Sequence, residues 1–276
     1  MFVESFAHKT ADRPMFYLSP VHAVLRLSGP DALTFLQSQL TNDIAALAVG
    51  GWQWQGYCSV KGRLLATFAL ARVGEDSWEA VVHSSTIDAV AKRLTMFRMR
   101  SKVVIEIAAD RSVGWTFDVA DVATSGLNLA LHDGRAYVLL DAAVATTLRS
   151  ADDAIQQRWQ CASIEAMQPE ITAPTAEMFV PQMIGWDTVQ PGGGVSFSKG
   201  CYPGQEIVAR AHYRGAVKRH LEKHTISDTV EVKVGAEITL DDGRTAEVCN
   251  VARTTEIDRL VLVVVASLRT DEASPV

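Results

Sequence analysis

The sequence predicts an α+β fold, and three observations carry the prediction. Strand-like and helix-like segments intermix up to Ile107 without the strict alternation of a doubly wound sheet. A hairpin is written between Trp52 and Val73. Beyond Lys218 only short strands remain, which read as a small β-barrel or sheet module. At 276 residues the chain is long enough for one large domain or two unequal ones.

Taken in order, His22 to Ser28 alternates apolar and polar residues, as a half-buried strand does. Gly29-Pro30-Asp31 opens a helix: proline suits the first helical position and an acid complements the dipole there. Leu33, Leu36 and Leu40 then follow at helical spacing. Trp52 to Val60 and Leu64 to Val73 read as strands joined by a turn at Lys61-Gly62-Arg63, where the glycine alone explains the turn. Trp78 to His83 is a third strand. Ser85 with Asp88 resembles a capping box, and Ile87, Val90, Ala91, Leu94 and Phe97 repeat with helical period behind it. Val103 to Ile107 returns to strand.

Ala142 to Ile164 reads as mainly helical and leads into Glu165. Pro169 to Gly194 is rich in proline and glycine, the composition of a mobile loop or a functional lid. Gln205 to Ala211 is helical. The strands beyond Lys218 include a turn at Asp241-Asp242-Gly243. A boundary near residue 220 divides the chain into 1–219, with room for two subdomains, and 220–270.

Hydrophobic residues make up 48% of the chain and charged ones 21%, an ordinary globular balance, and the net charge is −6. That charge gives no global attraction to nucleic acid or anionic membrane. Met1 to Ala7 lacks the charged-then-apolar order of a secretory signal and the arginines of a transit peptide. The apolar run Leu260 to Ala266 is far shorter than the roughly 20 residues that span a bilayer. Four scattered cysteines (Cys58, Cys161, Cys201, Cys249) include no C-x-x-C pair, so neither a disulfide framework nor a zinc or iron–sulfur site is indicated. The expectation is a soluble protein of a reducing, cytoplasmic compartment, without its own metal and without direct nucleic-acid contact.

Lys199-Gly200-Cys201-Tyr202-Pro203-Gly204-Gln205-Glu206 stands out chemically. A thiol just before a helix N-terminus and two residues from an ammonium group has its thiolate favoured by both charges. Cys201 is therefore a nucleophile, redox thiol or transient metal ligand, or else a small cysteine packed in a glycine-rich turn. Arg210, Arg214, Lys218 and Arg219 form a basic run that suits a ligand carboxylate, an acidic partner, RNA or plain solvation, though four charges fall far short of a nucleic-acid fingerprint. Asp43, ending the first helix, lines a pocket or simply makes a turn. His220 and His224 carry no metal assignment.

Lys199 to Glu206 resembles the K-G-C-Y-x-G-Q-E signature of the YgfZ family, relatives of the glycine-cleavage T-protein. The match continues through Ile207-Val208-Ala209-Arg210 to Tyr213-Arg214-Gly215 and Lys218-Arg219. Upstream, Phe179-Val180-Pro181-Gln182, Gly193 to Phe197, Gly29-Pro30-Asp31-Ala32, Phe35-Leu36-Gln37, Gln39, Thr41-Asn42-Asp43 and Lys61-Gly62-Arg63 also fit. The resemblance runs from roughly residue 20 to 266 and is weakest in the middle third.

The resemblance implies a T-protein-like fold with a tetrahydrofolate pocket, and a role in assembling or repairing iron–sulfur clusters in client enzymes, among them a tRNA-thiolating radical enzyme. It places Cys201 and Lys199 as the reactive pair. Glu165, in the position of the family's E-A-G glutamate, would accept the paired donors of the pterin, as one carboxylate can. Trp159 would stack on a folate ring. Tyr202, Gln205, Asp43 and Arg210 complete the expected folate-binding set. His22 stands where some relatives have a second tryptophan, and Met167 where many have glycine. Leu65 and Ala66 replace the paired aspartates of the T-protein hairpin, and neither can shuttle a proton. Three readings follow: a folate-dependent accessory factor, a folate-dependent aminomethyl or methyl transferase, and a binding scaffold. The first, as the sequence frames it, places Cys201 and Glu165 on one cavity.

Overall fold

Strand β4 reads as an almost unbroken apolar run because it is covered on both faces, and that fact organises the molecule. The structure, a computed structural model, describes residues 16–121, 126–187, 193–214, 217–227, 232–254 and 258–266. The readings of Met1 to Ala7, of Pro191 and Gly192, of Gly215 and of residues 267–270 lie outside these.

In chain order the elements begin with β1 (Tyr17–Leu18), β2 (His22–Ser28), α1 (Ala32–Gln39), β3 (Trp52–Cys58), β4 (Leu64–Gly74) and β5 (Ser77–His83). Then come α2 (Ser84–Arg98), β6 (Val104–Ile107), β7 (Arg111–Thr116), β8 (Leu127–Ala130) and β9 (Ala136–Asp141). The remainder are α3 (Ala142–Ala145), α4 (Asp153–Glu165), α5 (Gln205–Tyr213), β10 (Arg219–Ser227), β11 (Glu237–Thr239), β12 (Thr245–Arg253) and β13 (Asp258–Ala266).

The first sheet has the order β3-β4-β5-β2-β6 with antiparallel neighbours. Its Leu25, Phe68, Trp78 and Val82 pack under Phe35 and Leu36 of α1 and Ile87, Val90 and Leu94 of α2. The opposite face, through Val24, Ala69 and Val81, meets Trp115 and Leu139 of the second sheet, ordered β1-β7-β9-β8. Burying both faces removes the alternation that marks a one-sided strand.

The third sheet, β10-β13-β12-β11, curls into a half-barrel. Val261, Val263 and Val265 fill its concave side, while Leu260, Leu262 and Val264 pack outward against Ile164, Phe179 and Trp186. Arg244, from the turn between β11 and β12, reaches Glu222 on β10 with both terminal nitrogens at 2.9 and 2.8 Å, and so clasps the two edge strands together.

Two helix starts differ from expectation. Asp31 makes no side-chain cap for α1; its carboxylate accepts the Lys102 N–H at 2.7 Å instead. The cap of α2 is His83, whose imidazole accepts the Ser85 N–H, rather than Ser85 itself. Strands β7 to β9, for which no signal is read in the sequence, supply the second sheet. No helix among the described residues is long and apolar enough to cross a membrane.

Candidate functional site

A cavity of about 310 Å³ opens where the three sheets meet, at the lower end of the range typical of ligand pockets, roughly 300–1,000 Å³. The first sheet contributes His22, Trp54 and His83, the second Trp115 and Tyr137, and the third Asn250. The segment after α4 brings Gln168 and Glu170 into it.

Glu170 is the carboxylate of this cavity. Its Oε1 lies 2.7 Å from His22 Nε2. The proton on that imidazole is assigned by the surroundings. Trp115 Nε1, which can only donate, lies 3.3 Å from His22 Nδ1. Ser19 Oγ, already accepting the N–H groups of Val21 and His22, donates to the same Nδ1 at 2.9 Å. Nε2 therefore carries the proton and donates to Glu170. Burial pushes the Glu170 carboxyl up, but its interactions with His22, with His83 behind, more than offset this and hold it below its ordinary value. The side chain keeps 31% exposure, and Oε2 has no hydrogen-bond partner among the described residues.

His83 adds a second imidazole. Its Nδ1 accepts from the Ser85 N–H at 3.1 Å, which leaves the proton to Nε2. Burial lowers its pKa, with Glu170 opposing and His22 adding to the fall. The backbone of Glu170 is pinned from the third sheet: its N–H donates to Asn250 Oδ1, and Asn250 Nδ2 donates to its carbonyl, both at 3.1 Å. Asn250 can do this because β12 bulges between Val248 and Asn250.

The aromatic wall is already partly paired. Trp115 and Trp159 stack with centroids 4.9 Å apart and planes within 4°. The Arg135 guanidinium lies 4.4 Å from the Trp159 ring centre while bonding the Trp159 carbonyl, Ser163 and Gln168. Trp159 lines the cavity yet is 3% exposed, so it has no open face on which a ligand ring could stack. Trp54 is the less buried indole of the wall.

The residues singled out in the sequence fall elsewhere. Glu165 ends α4 on the surface, with its side chain 59% exposed and paired with Lys223, and does not line the cavity. The reason is local. The chain turns over at Met167, in the left-handed conformation at φ 51°, where the Met167 and Gln168 N–H groups close the helix on the Ile164 and Ser163 carbonyls. That turn aims Glu165 outward and delivers Glu170 inward. It also explains why glycine suits the Met167 position.

Cys201 is exposed and outside the cavity as well. Lys199 is not its partner. The Lys199 ammonium is buried at the end of α1, donating to the carbonyls of Gln37 at 2.6 Å, of Leu40, and of Asn42 at 3.3 Å. The Gln37 and Leu40 carbonyls belong to the end of α1 and Asn42 lies just beyond it, so the lysine is a structural cap. Burial pushes it down to about 8, with Asp43 opposing. Asp43 makes a turn, its carboxylate accepting from Gln37 and from the Ala45 N–H. Tyr202 is buried with its ring 5.3 Å from that ammonium. Gln205 starts α5 and Arg210 is exposed on it; none of the three lines the cavity. The Cys201 loop is seated by two glycines. A Cβ on Gly204, at φ 81°, would come within 2.6 Å of the Gly62 backbone, and one on Gly62 within 2.8 Å of Ile207. Among the described residues no group of three or more His, Cys, Asp or Glu is placed to hold a metal ion.

No family model matches the chain. By structure it is similar to the glycine cleavage system aminomethyltransferase T of Bartonella henselae, with a TM-score of 0.65 and 14% identity over 91% of this chain and 78% of that one. The fold is that of the T-protein class. The sequence is 33% identical over 225 residues to the tRNA-modifying protein YgfZ of Serratia proteamaculans, covering 72% of this chain and 67% of the relative. It is 30% identical over 266 residues to that of Cronobacter sakazakii, covering 80% of each. The chain belongs to the YgfZ family.

Proposed function

We propose that this chain binds tetrahydrofolate in the three-sheet cavity, with Glu170 taking the paired N–H donors of the pterin, and serves iron–sulfur client enzymes, tRNA-thiolating ones among them, as an accessory protein. The observation that carries the reading is that Glu170, whose Oε2 has no hydrogen-bond partner among the described residues, lines an aromatic hollow. A carboxylate with an open acceptor site, between indole and imidazole walls, matches a flat heterocycle rich in N–H groups. The partnerless Nε2 of Gln168, among the described residues, adds a buried donor on the same wall.

Cys201 and Glu165 do not open onto one cavity, as the sequence framed this reading. It stands only with Glu170 in place of Glu165 and with Cys201 facing a macromolecular client rather than the folate. A transferase reading is less well supported. Ala66 is fully buried and Leu65 partly so on β4, and neither offers an ionisable group.

Thermal unfolding with and without tetrahydrofolate tests the proposal. Ligand at a hundred times Kd stabilises by about 2.7 kcal/mol. The Glu170→Gln variant should lose most of that gain and Glu165→Gln should keep it. No stabilisation of the wild type at millimolar folate would remove the reading, and equal loss in both variants would remove the role of Glu170.

A further inference from the structure

We propose that His22 is the positioning residue of the cavity: its Nε2–H fixes Oε1 of Glu170, so that Oε2 is left to accept from the N–H donor of the bound ring. The inference rests on the folate reading of the cavity and adds a residue to it.

The argument is geometric. His22 sits on β2, facing the hollow, and touches nearly everything that defines its floor. Its ring meets His83, Trp115 and Tyr137 edge-on, with centroids 5.8, 5.7 and 5.2 Å away. Ser19 and Trp115 both occupy Nδ1, which leaves a single tautomer and a single direction for the remaining N–H. Glu170 belongs to a segment with no regular secondary structure, tied to the third sheet by Asn250. Its side chain gains a second anchor from the first sheet, through His22. A carboxylate held by one oxygen presents the other with its direction set before the ligand arrives, which lowers the ordering cost of binding. The titratable groups around Glu170 are His22 on β2, His83 at the end of β5, Tyr137 on β9 and Cys249 on β12. Of these only His22 is hydrogen-bonded to it.

The experiment uses the full chain, 5-formyltetrahydrofolate as probe, and quenching of tryptophan fluorescence as the binding signal. His22→Phe keeps the ring volume and removes the donor; His22→Gln keeps a donor. Affinity is measured from pH 4 to 8, and the Glu170 carboxyl is titrated in the ligand-free protein by carbon-13 NMR. In His22→Phe we expect affinity to fall on the order of tenfold to a hundredfold. The Glu170 midpoint, and the pH below which binding is lost, should rise together. His22→Gln should restore affinity to within about threefold of wild type. If His22→Phe folds poorly, Trp115→Phe removes one of the two donors to Nδ1 and reduces the stack on Trp159, and a rise of the same midpoint is expected there too. An unchanged midpoint overturns the positioning role even if affinity falls, because a merely structural residue would give that result. Absence of binding by the wild type overturns the folate reading, and the role of His22 toward a ligand with it.

Discussion

Asn250 grips the backbone of Glu170 at both ends, accepting its N–H and donating to its carbonyl, so the third sheet sets where the cavity carboxylate stands. This reciprocal pair is the only described hydrogen bonding between Glu170 and β12, and it makes a first prediction.

Replacing Asn250 with Ala leaves a half-buried N–H and carbonyl without partners. Each such loss costs about 1–3 kcal/mol. We expect a fall of stability in that range in urea titrations, together with weaker folate binding. Retention of full folate affinity would show that Glu170 needs no anchor from β12.

Met167 pays for its left-handed conformation. A non-glycine residue there costs roughly 1–2 kcal/mol, against about 0.5–1 kcal/mol of extra chain entropy for glycine. Met167→Gly should therefore raise stability by up to about 1 kcal/mol, read as a higher Tm. A drop would mean that the half-exposed methionine side chain packs better than its 38% exposure indicates.

Cys201 should be alkylated first in the native protein, because it is exposed while Cys58 and Cys249 are buried and Cys161 is partly so. Burial pushes the thiols of Cys58 and Cys249 up to about 12, and raises that of Cys161. Mass spectrometry after brief iodoacetamide treatment reads the order. Saturating folate should leave the Cys201 rate unchanged, since the thiol lies outside the cavity. Protection by folate would place the two sites together after all.

Glu222 gives an acid-dependent clasp. Arg244 chiefly, with His224 and His220, holds its carboxyl down from an ordinary 4.5 to about 2, against burial. A carboxyl lowered on folding contributes stability that is present above the unfolded value and lost as the pH falls through the folded one. The stability gap between wild type and Glu222→Gln should thus be full at pH 7 and close between pH 4.5 and pH 2. Urea unfolding across that range checks it, and a gap that persists at pH 2 would refute the clasp.

Strand β2 is legible to the residue because one of its edges alternates cleanly, and β3, β4 and β5 follow from turn chemistry. Strands β7 to β9 are not legible. They are short, and Trp115, Tyr137 and Leu139 bury against the first sheet, so their identity depends on a neighbour distant in sequence. The family signature located the Cys201 loop and the fold. It does not reveal which glutamate lines the cavity, because that turns on one left-handed residue, Met167, which leaves Glu165 exposed and Glu170 facing inward. A signal for the cavity is present in the sequence: a histidine on the same face of β2 as the apolar Val24 needs a partner once buried. Lys199 was misread for a similar reason. Closeness to Cys201 in sequence says nothing about the helix end, some 160 residues upstream in the chain, that its ammonium completes.

Because the hollow takes its walls from three sheets that share no ladder with one another, a small molecule lodged there works as a rivet. Strands otherwise free to breathe separately would slow together, and proteolysis of the empty form would outpace that of the filled one.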